Sequence, residues 1–206
     1  MQAALSSAPG RREKRKLELR ARIEDAAYAL FKQQGVEETS IEQICVAADV
    51  ARRTFYGHFT NKGALLQAMS QTRVWGTADA MMHEIMDKHE TTCDRLNAMI
   101  DYMEQNVRSY DAVDRMLILT MPVSLAEENH LRDVSDSIRD YLTRMFKQGQ
   151  AAGDTHAKFS PELLAEVVSG TLNSLLANWA IDTDYPINLK LEEARQLLEY
   201  LVCNKP

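Results

Sequence analysis

The 206-residue sequence has no uninterrupted apolar run of the roughly 20 residues that a transmembrane helix needs. Its first ten residues lack the charged start and apolar core of a signal peptide. The alternating patterns of strands, internal repeats and low-complexity segments are absent as well. These absences predict a soluble, cytoplasmic, all-α protein that has no membrane partner.

Cysteine is scarce, and Cys45, Cys93 and Cys203 are odd in number, far apart and without a CxxC pair. This pattern does not suit a disulfide framework, so it predicts reduced, buried thiols in a reducing cytoplasm. His83 and His89 precede Cys93, but their six-residue separation places the imidazoles on different faces of a helix. We therefore expect no zinc site and no cofactor.

Catalytic motifs are missing too. The sequence has no nucleophile elbow, no phosphate-binding glycine loop and no recognisable pair of carboxylates. An all-α enzyme is the alternative that these absences argue against, and turnover of a substrate panel would be its test.

Charge is divided unevenly along the chain. Residues 1–62 carry 11 Lys and Arg against 8 Asp and Glu, whereas residues 63–206 carry 13 against 22. A locally basic face can bind nucleic acid even though the net charge is −6. The basic run over residues 11–16 is either a solvated tail or an arm that contacts phosphates or the minor groove.

Two short helices joined by a tight turn are predicted between residues 39 and 62. Ser40 and Gln43 have the spacing of a capping box, so a helix begins just after Ser40. Its apolar stripe ends before a turn at residues 48–50, and a second helix follows to about residue 58. This arrangement is typical of the helix-turn-helix, whose second helix enters the major groove of DNA.

The second helix presents two different faces. Phe55 and Phe59 are four residues apart and are predicted to face inward. Arg52 and Arg53 are left outside, where guanidinium groups suit guanine edges and phosphate oxygens. We expect both to contact bases, with the alternative that one of them binds only a phosphate.

At these positions the sequence resembles the TetR family of bacterial transcriptional regulators. The matching residues are Thr39, Ile44, Ala48, Val50, Thr54, Phe55, Tyr56, His58, Phe59 and Lys62. The sequence departs from the family pattern at Asp49, where Gly is usual, at Ala51, where a capping Ser or Thr is usual, and at Gly63, where Glu is common. Aspartate tolerates left-handed backbone, so we expect the turn to form, whereas the lost cap costs about 1 kcal/mol.

The resemblance implies a set of DNA-contacting residues. They are Thr39, Ser40, Arg52, Arg53, Thr54, Tyr56, Gly57, His58 and Lys62. Four of these, Thr54, Tyr56, His58 and Lys62, would bind the phosphate backbone, and Gly57 would let the helix approach the groove floor. Thr39 and Ser40 also act as helix caps, and His58 has the open alternative of packing against the first helix.

The predicted organisation has three parts. These are a mobile basic arm over residues 1–14, a three-helix DNA-binding domain over 15–62, and a helical effector-binding and dimerisation domain over 63–206. The first helix is expected from about Lys16 to Gln34, with Gly35 as its left-handed cap, and Asn61 caps a helix that begins at Lys62. Helices of the body are expected over residues 93–108, 112–121, 124–150, 161–181 and 189–203, with Pro122 separating two of them.

The resemblance also implies an effector cavity inside the body. Ten methionines indicate an adaptable apolar interior, although Met is more often an ordinary core residue. We predict a small, largely apolar effector in a cavity lined by Met86, Met99, Met103 and Trp179. Asn173 and Asn178 lie in an otherwise apolar helix, where a buried amide would need a ligand or protein partner.

The last two helices carry wide apolar stripes, which suit either the core of one monomer or, as the resemblance implies, a four-helix dimer interface. We favour the interface because a terminal helix with so wide a stripe needs more than one neighbour. The residues predicted to form it are Leu172, Leu175, Leu197, Leu198 and Leu201. The expected protein is a homodimeric repressor that leaves double-stranded operator DNA when a small molecule binds; the alternatives are an activator or a protein sensor.

Overall fold

The computed structural model describes residues 10–76, 78–124 and 129–204. Within these ranges the regular structure is helical, apart from an isolated β-bridge between Thr155 and Cys203. The helices in the same ranges are too short or too polar to cross a bilayer. The predicted all-α fold class is confirmed.

The chain folds into two compact units, one ending at Leu66 and the other beginning at Gln67. The N-terminal helices are α1 (Arg11–Gln34), α2 (Ile41–Ala47), α3 (Arg52–Tyr56) and α4 (Lys62–Met69), and a π-helical segment, Ser70–Trp75, follows α4. The later helices are α5 (Ala78–Lys88), α6 (Thr92–Ser109), α7 (Ala112–Ser124), α8 (Asn129–Ala152), α9 (Pro161–Ile181) and α10 (Ile187–Val202).

The N-terminal unit, here called the head, has a small apolar core in which α1, α2 and α3 meet. Its buried side chains include Ile23, Ala27, Phe31, Ile44, Phe55, Phe59 and Leu65. The capping box predicted for α2 is present, because Ser40 Oγ accepts from the Gln43 amide at 3.2 Å and Gln43 Oε1 accepts from the Ser40 amide at 2.8 Å. These bonds fix the residue at which α2 begins.

The turn between α2 and α3 forms without glycine. Asp49 adopts a φ of +50°, the left-handed conformation expected of it. Arg22 of α1 donates from Nη2 to the carbonyls of Ala48 and, at 3.3 Å, Asp49. A cation from α1 therefore satisfies the turn's outward carbonyls, and Ala51 starts α3 without a side-chain cap.

Predicted helix boundaries differ from the observed ones notably at the start of α1 and the end of α7. α1 begins at Arg11, well before Lys16, because Gly10 marks the start and the charged residues that follow are good helix formers. Residues 11–14 are thus helical, and the rest of the predicted mobile arm, residues 1–9, lies outside the described residues. α7 continues through Pro122 to Ser124, since a proline in the last turn removes only one backbone hydrogen bond.

The C-terminal unit, here called the body, is built from long helices. α9 packs against α7, α8 and α10, and α6 packs against α5, α8 and α10. Its buried side chains include Met82, Leu96, Ile100, Leu117, Leu142, Met145, Phe146, Val168 and Leu198. Ser70 Oγ donates to the Leu117 carbonyl at 2.7 Å, which ties the π-helical segment to α7.

The cysteine prediction is wrong for one pair, because Cys93 and Cys203 form a disulfide with their Cα atoms 5.8 Å apart. The first turn of α6 and the end of α10 bring these residues together across 110 positions, a proximity that local spacing cannot reveal. Cys45 is a free, buried thiol, and burial raises its pKa. In the described ranges, His, Cys, Asp and Glu form no cluster of three that could hold a metal.

Candidate nucleic-acid interface

The outer surface of α3 is basic and accessible. Arg52, Arg53 and Tyr56 are exposed, whereas Phe55 and Phe59 are buried, as the four-residue spacing predicted. The two phenylalanine rings lie 5.7 Å apart between centroids and pack into the head. Because α3 has only five residues, this buried pair fixes the direction of its outer side chains.

Arg52 is held by neighbours on the same surface. Its Nη1 lies 2.9 Å from Glu42 Oε1 on α2, and a hydrogen bond with Tyr56, followed by the field of Glu42, raises its guanidinium pKa. Sequence reasoning missed Glu42, because a glutamate in the first turn of a helix also suits the helix dipole. The pair is exposed and therefore weak, yet it gives the Arg52 guanidinium a carboxylate partner before DNA arrives.

Arg53 differs from its neighbour. It is exposed, and among the residues that the structure describes its guanidinium forms no ion pair. Thr54, which follows it, is half-buried. Of the two arginines, Arg53 therefore has its donors available to a base edge or phosphate without first breaking a protein contact.

Thr39 and Lys62 have internal partners instead of the outward positions that phosphate binding needs. Thr39 is buried, and its hydroxyl donates to the Gly35 carbonyl at 2.6 Å. Lys62 Nζ donates to the carbonyls of Val36 at 2.6 Å and Thr39 at 3.1 Å. The phosphate roles predicted for these two side chains do not fit this arrangement, in which they stabilise the loop between α1 and α2.

His58 lies at the end of the recognition segment and is half-buried. Burial lowers its pKa, and the nearby Lys16 and Arg20 cations of α1 lower it further. The neutral imidazole packs beside Phe59, with ring centroids 6.2 Å apart. This environment matches the packing alternative, and a neutral ring can still donate one hydrogen bond to a phosphate.

Ser40, just before α2, and Gly57, just after α3, are both exposed. The Ser40 hydroxyl is part of the capping box, and its backbone amide is used there too. Gly57 has a φ of −73°, so its backbone does not require glycine. Together with Thr54, these residues stay predictions as DNA contacts.

The predicted cavity wall is spread over three helices of the body. Met99 and Trp179 are buried, and Met86 and Met103 are half-buried. Trp179 has a protein partner, because the Arg115 guanidinium lies 4.0 Å from its ring centroid and donates to its carbonyl at 3.0 Å. An open cavity of about 430 Å³ lies elsewhere, along α8 at Asp140, Tyr141, Thr143, Arg144 and Lys147.

The predicted interface residues separate into two groups. Leu172 and Leu198 are buried within the monomer, so they do not need a second copy to cover them. Both helices are apolar on more than one side, and the sequence pattern does not show which side the monomer covers. Leu197 is exposed, and Leu175 and Leu201 are half-buried.

A correction concerns the amides of α9. Asn173 and Asn178 are exposed, so they need no buried partner. They lie on the outer side of α9, together with apolar side chains that the monomer leaves uncovered, Leu163, Val167 and Ile181.

Comparisons with known proteins agree with this architecture. Residues 23–69 match the family model for bacterial regulatory proteins of the tetR family. The chain is 26% identical to the HTH-type transcriptional regulator AcrR of Shigella flexneri over 206 aligned residues, covering 90% of this chain and 91% of AcrR.

Two solved structures share the fold. FadR from Bacillus subtilis, in complex with stearoyl-CoA, is 19% identical with a TM-score of 0.66, covering 86% of this chain and 96% of FadR. NalD, the secondary repressor of the MexAB-OprM multidrug efflux pump in Pseudomonas aeruginosa, is 20% identical with a TM-score of 0.61, covering 93% and 100%.

A helix-turn-helix with an exposed basic helix, in a chain whose remaining described residues form a helical body, defines a DNA-binding transcriptional regulator. The matched residues include the turn, α3 and all of α4. The chain belongs to the TetR family of these regulators.

Proposed function

We propose that this protein is a homodimeric repressor that binds a pseudo-palindromic operator and leaves it when a small, largely apolar effector binds. The observation that carries the proposal is the exposed pair Arg52 and Arg53 on an α3 whose apolar side is anchored by Phe55 and Phe59. Such a helix presents guanidinium groups to the major groove in a fixed direction.

Within the pair, Arg53 is the main base-contacting residue. Arg52 starts from an ion pair with Glu42 at 2.9 Å and a bond to Tyr56, so its transfer to a base must replace those contacts. If Arg52 moved to a base, the Glu42 carboxylate would be left as an unpaired negative charge beside the DNA. Arg52 therefore acts mainly by shielding Glu42 and contacting a phosphate, and Tyr56 supports it.

The second copy in the dimer docks on the outer sides of α9 and α10. Leu163, Val167 and Ile181 lie at helical spacing on α9, as do Leu189, Leu197 and Tyr200 on α10, and all six are exposed. A Cβ added at Gly170, in the middle of the α9 stripe, would meet no atom within 4 Å, so a partner helix can approach closely there. Exposed apolar stripes of this kind mark interfaces, and a two-fold axis lets each stripe pair with its copy.

Dimerisation sets the operator's geometry. Two recognition helices reach successive major grooves only if they are about 34–36 Å apart, which corresponds to one turn of DNA. An effector that binds better to a form with a different spacing shifts the population away from the DNA-bound form. The size of this population shift is limited by the difference between the effector's binding free energies for the two forms.

The proposed effector class rests on relatives and on composition. NalD is a repressor, and the FadR structure holds stearoyl-CoA, which carries a long apolar chain. The ten methionines of this chain would supply flexible apolar contacts, with Met86, Met99 and Met103 as the candidate wall. Polar anchors would fix the orientation of the ligand, as is common in helix-bundle cavities.

Selection of bound sequences from random DNA tests the operator proposal. The expected product is an inverted repeat whose half-sites are centred about one helical turn apart. Footprinting upstream of the protein's own gene should then protect the same sequence. Recovery of DNA without any common sequence would contradict specific recognition by α3.

A thermal-shift screen of hydrophobic compounds tests the effector proposal. A true effector should raise the melting temperature by mass action and weaken operator binding, and linkage requires that operator DNA weaken effector binding by the same factor. Calorimetry with and without operator measures that factor. A ligand that binds equally well to free and DNA-bound protein would contradict release.

A further inference from the structure

The disulfide between Cys93 and Cys203 joins two distant parts of the body. Cys93 is in the first turn of α6, and Cys203 caps the end of α10, with Cα atoms 5.8 Å apart and 110 residues between them. A Cα separation of this size suits a disulfide without movement of the backbone. The pair exists only because the fold brings the two helix ends together.

Non-covalent bonds hold the same junction independently of the sulfur atoms. Asp154 accepts from the Thr92 amide at 2.9 Å and from the Thr92 hydroxyl at 2.8 Å, beside Cys93. On the other side, the Asn204 amide donates to the Asp154 carbonyl at 2.9 Å, and the His156 amide donates to the Val202 carbonyl at 3.0 Å. Reduction would therefore leave the two thiols adjacent and ready to bond again.

The two sulfur atoms differ in accessibility. Cys93 is half-buried, whereas Cys203 is only 3% exposed. Cys93 lies in the first turn of α6, where the neighbouring amides of Thr92 and Asp94 donate to Asp154 and Thr91 and hold the backbone in place. An oxidant from solvent therefore reaches Cys93 first, and Cys203 is placed to react with the product.

A DNA-binding regulator works in the reducing compartment where its operator lies, and disulfides in such compartments are mainly transient or redox-sensing. We propose that Cys93 and Cys203 are a reversible redox modification site, oxidised by a hydroperoxide and restored by a dithiol reductant. The argument from compartment rests on the proposed function, whereas the thiol chemistry does not.

The oxidation proceeds in two balanced steps. The Cys93 thiolate attacks one oxygen of the hydroperoxide, so an S–O bond forms, the O–O bond breaks and the alcohol or water leaves with a proton. The Cys203 thiolate then attacks the Cys93 sulfur, so the S–S bond forms, the S–O bond breaks and hydroxide leaves, which takes a proton from solvent to become water. Two thiols supply the two electrons, and a dithiol returns them by exchange through a mixed disulfide.

The test begins with reduced, full-length protein, treated with hydrogen peroxide at about one equivalent and then with a maleimide that blocks remaining thiols. Mass spectrometry under non-reducing conditions should find a peptide crosslink between Cys93 and Cys203 within one chain. Thioredoxin with its reductase and NADPH should remove the crosslink in the folded protein. Hydrogen exchange at the end of α10 should be slower in the oxidised form.

Substitution of each cysteine in turn tests which one reacts with peroxide and which one closes the disulfide. Cys203→Ser should leave Cys93 as a sulfenic acid that dimedone traps, whereas Cys93→Ser should give neither crosslink nor trapped adduct. Cys45→Ser is the matched control, because Cys45 is buried in the head, and it should form the crosslink as the parent does.

Two results would overturn the proposal. One is a reduced protein that peroxide does not crosslink although its melting curve shows that it is folded. The other is a crosslink that the dithiol system removes only after unfolding, which would make the disulfide structural. Both are independent of operator binding, so a failure here is distinguishable from a failure of the proposed repressor function.

Discussion

The head and the body are stabilised in different ways. In the head, the short helices α2 and α3 are positioned by polar side chains that bond to loop and turn carbonyls, chiefly Arg22 and Lys62. In the body, helices of up to 24 residues are held by wide apolar burial. A surface that contacts bases needs fixed charges, whereas a region that binds varied apolar ligands gains from deformable contacts.

The largest expected effect comes from removing a core ring in each unit. Phe55→Ala in the head and Phe146→Ala in the body each empty a fully buried site and should cost about 3–5 kcal/mol of unfolding free energy. The head has a smaller apolar core than the body, so the same loss of unfolding free energy should disrupt it more and Phe55→Ala should abolish operator binding. Phe146→Ala should lower the melting temperature with smaller loss of operator affinity. Equal operator binding by both variants would contradict the comparison.

Charge placed on the proposed dimer surface should act next most strongly. Leu163→Glu with Leu197→Glu puts four carboxylates into a two-fold interface, because each substitution occurs in both copies. Sedimentation should show monomers, and operator affinity should collapse with them. Gln105→Glu, on the exposed surface of α6, is the control and should leave the association unchanged. An intact dimer in the double variant would remove α9 and α10 from the interface.

Lys62→Met tests whether the head is held by carbonyl bonds at this position. Loss of the bonds to Val36 and Thr39 should destabilise the head by about 1–3 kcal/mol, because carbonyls are left unpaired. The slope of log K against log salt should stay the same. A phosphate contact would instead reduce that slope by about one per half-site, and this result would restore the role predicted from the sequence.

The smallest effect concerns pH. Burial, Lys16 and Arg20 lower the His58 pKa below its unfolded value of about 6.5, so the unfolded chain binds the proton more readily. Stability should therefore fall as pH drops below about 6.5, and His58→Gln should make that fall shallower. Added salt should screen the charges of Lys16 and Arg20 and so reduce the difference between the pH profiles of the parent and the variant. Identical pH profiles for parent and variant would show that His58 is not coupled to folding.

The sequence predicts the head far better than the body, for a physical reason. Helix caps and turns depend on nearby residues, so Ser40 with Gln43, the positive φ of Asp49 and the cap at Asn61 are all confirmed. The sequence predicts a phosphate contact for Lys62 because its charge is visible there, whereas its distant carbonyl partners are not.

Helix existence in the body is also predictable, because apolar spacing is a local property. The covered side of a helix is not a local property, so the sequence predicts a dimer interface for Leu172 and Leu198, which the monomer buries, and a partner for Asn173 and Asn178, which are exposed. The Cys93–Cys203 bond is not predictable from local sequence either, because it depends on the contact between the start of α6 and the end of α10. A ligand cavity depends on several helices at once, so its wall stays a prediction.

The most direct test of the central claim compares the DNA sequences selected by the parent, Arg53→Ala and Arg52→Ala. Arg53→Ala should lose preference at one position of each half-site and about 1–3 kcal/mol of specific binding per half-site. Arg52→Ala should keep the preference and lose less affinity, because Arg52 is paired with Glu42. If Arg53→Ala selects the same sequences as the parent, α3 does not recognise the operator through Arg53, and the account is wrong.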